Sequence, residues 1–205
     1  MPSLRITRYR NPALWENAKF IFQYALSPGA VGAVAPSSPA LAQEMVKGLG
    51  LEHASAVVEF GAGTGSFTRA MLPLLPPDCK FIAIERNREF AGILRERFPD
   101  HKLHFDDVRN VREICSREGI REVDCVVSGL PWASFPEQLQ SECLDAMMSV
   151  LRHGGRFVTF AYEGLALLPR ARNFRKKLGG YFSEIKQSST VLANVPPAFV
   201  YRCKR

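Results

Sequence analysis

Ala56–Gly65 (AVVEFGAGTG) joins five residues that read as a buried strand to a turn with glycines at 61, 63 and 65. Ser66–Leu75 beyond it reads as a helix. Glycines at a strand-to-helix junction take backbone conformations that other residues resist, and they let a ligand approach the main chain closely. In an open α/β sheet, ligands bind at the carboxyl ends of the strands, where this turn falls. The spacing Gly61, Gly63, Gly65 does not meet the dinucleotide fingerprint GxGxxG, which argues against a nicotinamide enzyme.

Outward from this junction the chain alternates short apolar runs with amphipathic segments. Phe81–Glu85 (FIAIE), Lys102–Phe105, Val123–Ser128 (VDCVVS) and Gly155–Ala161 (GRFVTFA) read as strands. Arg88–Arg97, Val108–Glu118 and Pro136–Val150 read as the helices between them, and residues 39–49 as a helix before the first strand. This rhythm predicts an α/β fold, a doubly wound, mostly parallel sheet covered on both faces. Near the end, Phe182–Lys186 and Ala198–Arg202 (AFVYR) are strand-like with no helix between them, and are expected to finish the sheet as an antiparallel pair. At the other end, Asn11-Pro12 is a good helix start, and Leu14, Ala18, Ile21 and Ala25 recur at helical spacing. The Pro/Ser/Gly-rich stretch Ser27–Pro39 follows, so the chain divides into an N-terminal helical extension, 1–38, and a main domain, 39–205.

The 205 residues, 46% of them hydrophobic, suffice for one full core. No apolar run approaches the roughly 18 residues of a membrane-spanning helix. The N-terminus lacks the layout of a secretory signal, so a cytoplasmic protein is expected. Five scattered cysteines without CxxC spacing read as reduced thiols, and no metal site is expected. The net charge of +7 is uneven: residues 1–20 carry +3, residues 21–164 carry −4, and residues 165–205 carry +8. Basic ends suit an anionic partner, either nucleic acid or a membrane surface.

Glu85 closes the second strand, and Asp106-Asp107 follow the third. A carboxylate at the end of strand two can accept both hydroxyls of a ribose. An acid after strand three can accept from an adenine amino group while the next N–H, that of Val108, donates to the ring. In E-x-G-x-G-T-G, the strand-two acid and the Asp107-Val108 pair, residues 55–165 resemble the class I S-adenosylmethionine-dependent methyltransferases, whose fold is Rossmann-like. Ser128-Gly129-Leu130-Pro131-Trp132 is similar to the N-L-P-Y motif of the rRNA adenine dimethyltransferases, but their asparagine is Ser128 here. Nearly the whole chain resembles the bacterial phospholipid N-methyltransferases, through GAVAPSS (Gly32–Ser38), SGLPWASFP (Ser128–Pro136) and VPPAFVYR (Val195–Arg202).

That resemblance implies S-adenosylmethionine as cofactor, S-adenosylhomocysteine as product, and stepwise methylation of phosphatidylethanolamine toward phosphatidylcholine. An ornithine lipid is an alternative acceptor, and RNA or DNA adenine a rival one. By it, Glu59, Gly61, Ala62, Gly63, Thr64 and Gly65 hold the methionine part, Glu85 the ribose, and Asp107 and Val108 the adenine, with Arg86, Ser128 and Leu130 also at the cofactor. Trp132, Tyr24 and Tyr162 are expected to line the acceptor, Trp132 offering an aromatic face to an increasingly alkylated cation. The helix at about Pro12–Leu26 and the basic segment Arg170–Lys177 (RARNFRKK) are expected to meet an anionic membrane surface at its cytoplasmic face, with no nucleic acid as partner.

Overall fold

In the computed structural model, which describes residues 37–205, seven strands form one sheet in the order β3-β2-β1-β4-β5-β7-β6. The strands are β1 (Ala56–Phe60), β2 (Lys80–Glu85), β3 (Lys102–Phe105), β4 (Val123–Ser128), β5 (Leu151–Tyr162), β6 (Glu184–Gln187) and β7 (Ala198–Lys204). The first five pair in parallel, and β7 runs antiparallel between β5 and β6. The order reverses between β1 and β4, which makes that crevice the topological switch point where such sheets bind ligands. The expected α/β architecture and its antiparallel end are therefore present. The N-terminal helix, Tyr24 and the segment Gly32–Pro36 lie outside the described residues.

The helices are α1 (Pro39–Val46), α2 (Ser66–Met71), α3 (Arg88–Arg97), α4 (Val111–Arg117), α5 (Glu137–Met148) and α6 (Pro169–Tyr181). Strand residues alternate between two cores because successive side chains point to opposite faces. Val58 and Phe60 pack with Ile114, Leu144, Met147, Phe174 and Leu178 of α4, α5 and α6. Val57 packs on the other face with Leu41, Met45, Phe67, Met71 and Leu94 of α1, α2 and α3. Glu59 follows the parity of Val57 and is carried into that second face.

The larger departures from the sequence reading have physical causes. Pro73 ends α2 early, and Leu72–Leu74 tightens into a 3-10 turn. Strand β5 begins at Leu151 rather than at Gly155, because Gly154 (φ 72°) passes through the left-handed region while Gly154 and Gly155 bond to Arg205. The segment expected only as a basic stretch is the helix α6, which joins β5 to β6. Leu168-Pro169 opens it, and Ala171, Phe174 and Leu178 bury one face at helical spacing.

Asp124 on β4 fastens the start of the sheet. Its Oδ2 accepts from the N–H groups of Ser55 (2.7 Å) and Ala56 (3.0 Å), and its Oδ1 from Arg152. Partial burial alone would raise its pKa, but the Ala56 amide, Arg152 and the Ser55 amide outweigh burial and hold it below the ordinary value. A depressed folded-state pKa contributes stability that is whole above the unfolded value of about 3.9 and is lost as pH falls through the folded one. Asp124→Ala should cost about 1.5–3 kcal/mol in urea unfolding at neutral pH, the range for hydrogen bonds to a charged group. The gap between wild type and variant should narrow on acidification; a gap constant with pH would mean that the carboxylate charge contributes nothing.

Candidate active site

The turn after β1 is built from three left-handed glycines, Gly61 (φ 67°), Gly63 (φ 56°) and Gly65 (φ 88°). Two serve different purposes. A Cβ on Gly65 would lie 2.4 Å from the Phe98 ring, so that glycine is needed for packing against α3, whereas a Cβ on Gly63 would meet nothing within 4 Å among the described residues. Among those residues nothing crowds the main chain at Gly63, as a ligand cradle requires.

Glu85, at the carboxyl end of β2, is buried, and both of its oxygens accept from backbone. Oε2 takes the N–H of Gly63 at 2.8 Å, and Oε1 takes that of Asn87 at 2.7 Å. Asn87 in turn caps α3, accepting from Glu89 and Phe90. Arg97 of α3 reaches back to the carbonyl of Thr64 at 2.9 Å, pinning the same turn from outside. Each carboxylate oxygen keeps lone-pair capacity beyond its one backbone bond.

Glu59 is fully buried. Its Oε2 accepts from the Thr68 hydroxyl at 2.6 Å, and its Oε1 has no hydrogen-bond partner among the described residues. Burial pushes its pKa up to about 8, the Thr68 hydroxyl and amide pull it back, and the Glu85 charge adds to the rise. An orphaned acceptor of this kind beside a glycine cradle fits a donor-bearing, cationic ligand group.

After β3, Asp107 is held by Arg109, whose Nε and Nη2 lie 3.0 Å from its two oxygens, and Arg86 Nη1 approaches Oδ2 at 3.4 Å. The Arg109 hydrogen bonds lead in keeping this carboxyl below the ordinary range. Asp106 accepts instead from Asn110 and from the Asp107 amide, both at 2.7 Å. Val108 is buried against α4 and α5. Arg86 and Asp107 therefore stand together, bridging the β2 and β3 ends.

The end of β4 and the loop after it carry Ser128 and Trp132. Ser128 is wholly buried, its Oγ accepting from Trp132 Nε1 at 2.9 Å and from the Leu130 amide at 3.3 Å, so its hydroxyl helps hold the loop. Trp132 is only 2% exposed; it stacks on Phe174 at 5.1 Å and takes Phe135 and Phe157 edge-on. Its rings pack on the α6 side. Leu130 stays at the site, against the Cα of Gly61, where an added Cβ would come within 2.7 Å of it. Tyr162 is half-buried at the end of β5, in an edge-to-face series with Phe160 and Phe67 on the α2 side. Thr68, Arg97 and Arg109 escaped the sequence reading, since nothing in their spacing marks them.

The fold and these groups define an α/β protein with a glycine turn and three acids, Glu59, Glu85 and Asp107, gathered at the carboxyl ends of β1–β3. A methyltransferase-domain family model matches residues 58–157. The ornithine lipid N-methyltransferase of Singulisphaera acidiphila is 36% identical over 179 residues, covering 85% of this chain and 88% of that protein. Ribosomal RNA small subunit methyltransferase A of Chlorobaculum tepidum is 38% identical over 69 residues, 34% of this chain and 24% of that protein. The crystal structure of the O-methyltransferase TomG from Streptomyces achromogenes in complex with S-adenosylmethionine superposes with a TM-score of 0.64 at 18% identity, over 97% of this chain and 92% of that one. The chain belongs to the class I S-adenosylmethionine-dependent methyltransferases, in the family of the Singulisphaera enzyme.

The Glu59 carboxyl yields a test of the site's electrostatics. Its folded-state pKa lies above the ordinary 4.5, so the stability it contributes is whole below about 4.5 and is lost as pH rises through about 8. Without cofactor, Glu59→Gln, which cannot ionise, should become progressively more stable than wild type across that window. The gain should be on the order of a few kcal/mol, at about 1.4 kcal/mol per pKa unit. Thermal melts at stepped pH read it; a difference that does not vary with pH would mean that Glu59 titrates normally.

Proposed function

We propose that this methyltransferase transfers methyl groups from S-adenosylmethionine to the head-group amine of an aminolipid, taking phosphatidylethanolamine toward phosphatidylcholine, with an ornithine lipid as the alternative acceptor. The observation that carries this reading is the 36% identity to a lipid N-methyltransferase across 85% of the chain. The geometry after β4 supports it. Where the rRNA adenine enzymes carry an asparagine, this chain has a buried serine whose hydroxyl is engaged by Trp132 and Leu130, leaving no amide to grip a base.

When bound, S-adenosylmethionine supplies an electrophilic methyl group on a sulfonium. Within the proposed site, Glu59 Oε1 and the open main chain of Gly61–Gly65 would hold its methionine end, with Ala62 and Thr64 in the same turn. Glu85 would take the ribose hydroxyls with its remaining lone pairs. Asp107 and the Val108 amide would take the adenine, with Arg86 and Leu130 bounding the cavity. An ammonium acceptor with a lysine-like pKa needs about 4 kcal/mol to free its lone pair at neutral pH, so alignment matters more than a strong base. Tyr162, at the end of β5 on the α2 side, is the described residue proposed to line the acceptor; Tyr24 retains that role as a sequence expectation. The basic helix α6 and the N-terminal segment would draw the enzyme to an anionic bilayer from the cytoplasmic side. Among the described residues, no helix is long and apolar enough to cross a membrane.

Incubation with methyl-labelled S-adenosylmethionine and three acceptors tests the reading: phosphatidylethanolamine vesicles, ornithine-lipid vesicles and rRNA. Label should enter the extractable lipid of one or both vesicle samples and leave the RNA blank. Label in RNA alone would overturn the lipid assignment.

A further inference from the structure

Six large hydrophobic side chains stand exposed among the described residues, and four of them share one rim: Leu167 (68%), Leu168 (41%), Leu192 (77%) and Val195 (78%). They belong to two loops, 163–168 after β5 and 188–197 before β7. Strands β5 and β7 are antiparallel, with Tyr162 opposite Ala198, so the loops leave the sheet side by side. Two ties join them, Glu163 N–H to the Pro197 carbonyl (2.9 Å) and the Thr190 hydroxyl to the Glu163 carboxylate (2.7 Å), while a bridge between Val191 and Ala198 folds the second loop back on the start of β7. Because β5 runs parallel to β1–β4, this is the same carboxyl rim that carries the glycine turn, Glu85 and the Ser128–Trp132 loop.

Helix α6 starts from this rim. Ala171, Phe174 and Leu178 face the core, which leaves Arg172 and Lys176, four residues apart, on the exposed face, with Arg170 in the first turn. None of the three takes part in an ion pair among the described residues. Glu163, the acid of the first loop, accepts from the Thr190 hydroxyl.

We infer that the paired loops 163–168 and 188–197 form an aliphatic wedge that enters an anionic bilayer, with Arg170, Arg172 and Lys176 seated on its phosphates. Flexible aliphatic tips flanked by cations suit the boundary between head groups and acyl chains, where the apolar part is dehydrated and the charges meet anionic lipid. They do not suit RNA, whose sequence-tolerant binding uses aromatic stacking platforms that these tips lack. A second copy of the chain would bring like charges together. The inference rests on the aminolipid reading and deepens it: an acceptor that never leaves the bilayer reaches the β4/β5 edge because that edge is the one pressed against the membrane.

The test uses the full chain, two double variants, Leu167→Ser with Leu168→Ser and Leu192→Ser with Val195→Ser, and the triple variant Arg170→Glu, Arg172→Glu, Lys176→Glu. Flotation is measured with phosphatidylcholine vesicles with and without phosphatidylglycerol, and methyl transfer with vesicle-borne and with monomeric short-chain aminolipid. Wild type should float with the anionic vesicles. Each double variant should bind them roughly tenfold more weakly or worse, with melting temperature and short-chain turnover unchanged, and the triple variant should lose the preference for anionic lipid. Undiminished flotation of both double variants, or wild type that binds single-stranded RNA but no vesicles, would overturn the wedge. Failure of the methylation reading has a different signature, the absence of transfer by wild type even to the short-chain lipid.

Discussion

The carboxyl edge of the sheet depends on one buried carboxylate. Glu85 accepts the Gly63 amide from the β1 turn and the Asn87 amide from the β2 turn, so two loops from neighbouring strands are tied through a single side chain. Hydrogen bonds to an ionised acceptor in a largely dry setting are among the stronger contacts a protein makes. Through Asn87 the tie continues into the cap of α3, and from α3 Arg97 returns to Thr64, closing a loop of contacts around the glycine turn. The left-handed glycines make the turn possible, and Glu85 fixes which shape it keeps.

The site sits at the switch point because strand parity brings its groups there. Glu59 shares the face of Val57 and is buried beneath α2, where Thr68 satisfies one oxygen and the other has no partner among the described residues. Leaving a buried acceptor unmade costs stability, a sacrifice proteins make chiefly where a ligand completes the set. Further along the edge, Asp107, Arg86 and Arg109 interlock the β2 and β3 ends, while the β4 loop turns inward and packs Trp132 against α6. Charged and aliphatic features thus divide along the sheet: β1–β3 carry the acids and the glycine turn, and β5 with β7 carry the exposed aliphatic loops.

Much of this was legible in the sequence because two periods, that of buried parallel strands and that of amphipathic helices, alternate cleanly from Ala56 to Val150. What was missed follows from the same physics. Helix α6 was hidden because its buried set is only Ala171, Phe174 and Leu178, set among five basic residues and closed by Gly179-Gly180, both poor helix signals. The start of β5 was hidden by His153-Gly154-Gly155, which reads as a turn. At the site, residues fixed by their place on a strand, Glu59 and Glu85, could be placed from the sequence. How a loop folds back could not, since linear spacing does not say that Trp132 donates to Ser128. Thr68 and Arg109 act on acids nine and two positions away, and neither spacing differs from that of an ordinary solvated pair.

Calorimetric titration of S-adenosylhomocysteine into wild type, Glu85→Gln and Glu85→Ala tests most directly the claim that the Glu85 carboxylate organises this edge and takes the ribose. Loss of a charged acceptor in a buried site should raise the dissociation constant of Glu85→Ala by roughly ten- to a hundredfold, equivalent to about 1.5–3 kcal/mol. Glu85→Gln, which keeps the shape and one carbonyl acceptor but no charge, should fall between. Equal dissociation constants for all three proteins would contradict the account, because they would place the ribose away from the carboxylate on which the rest of the edge is built.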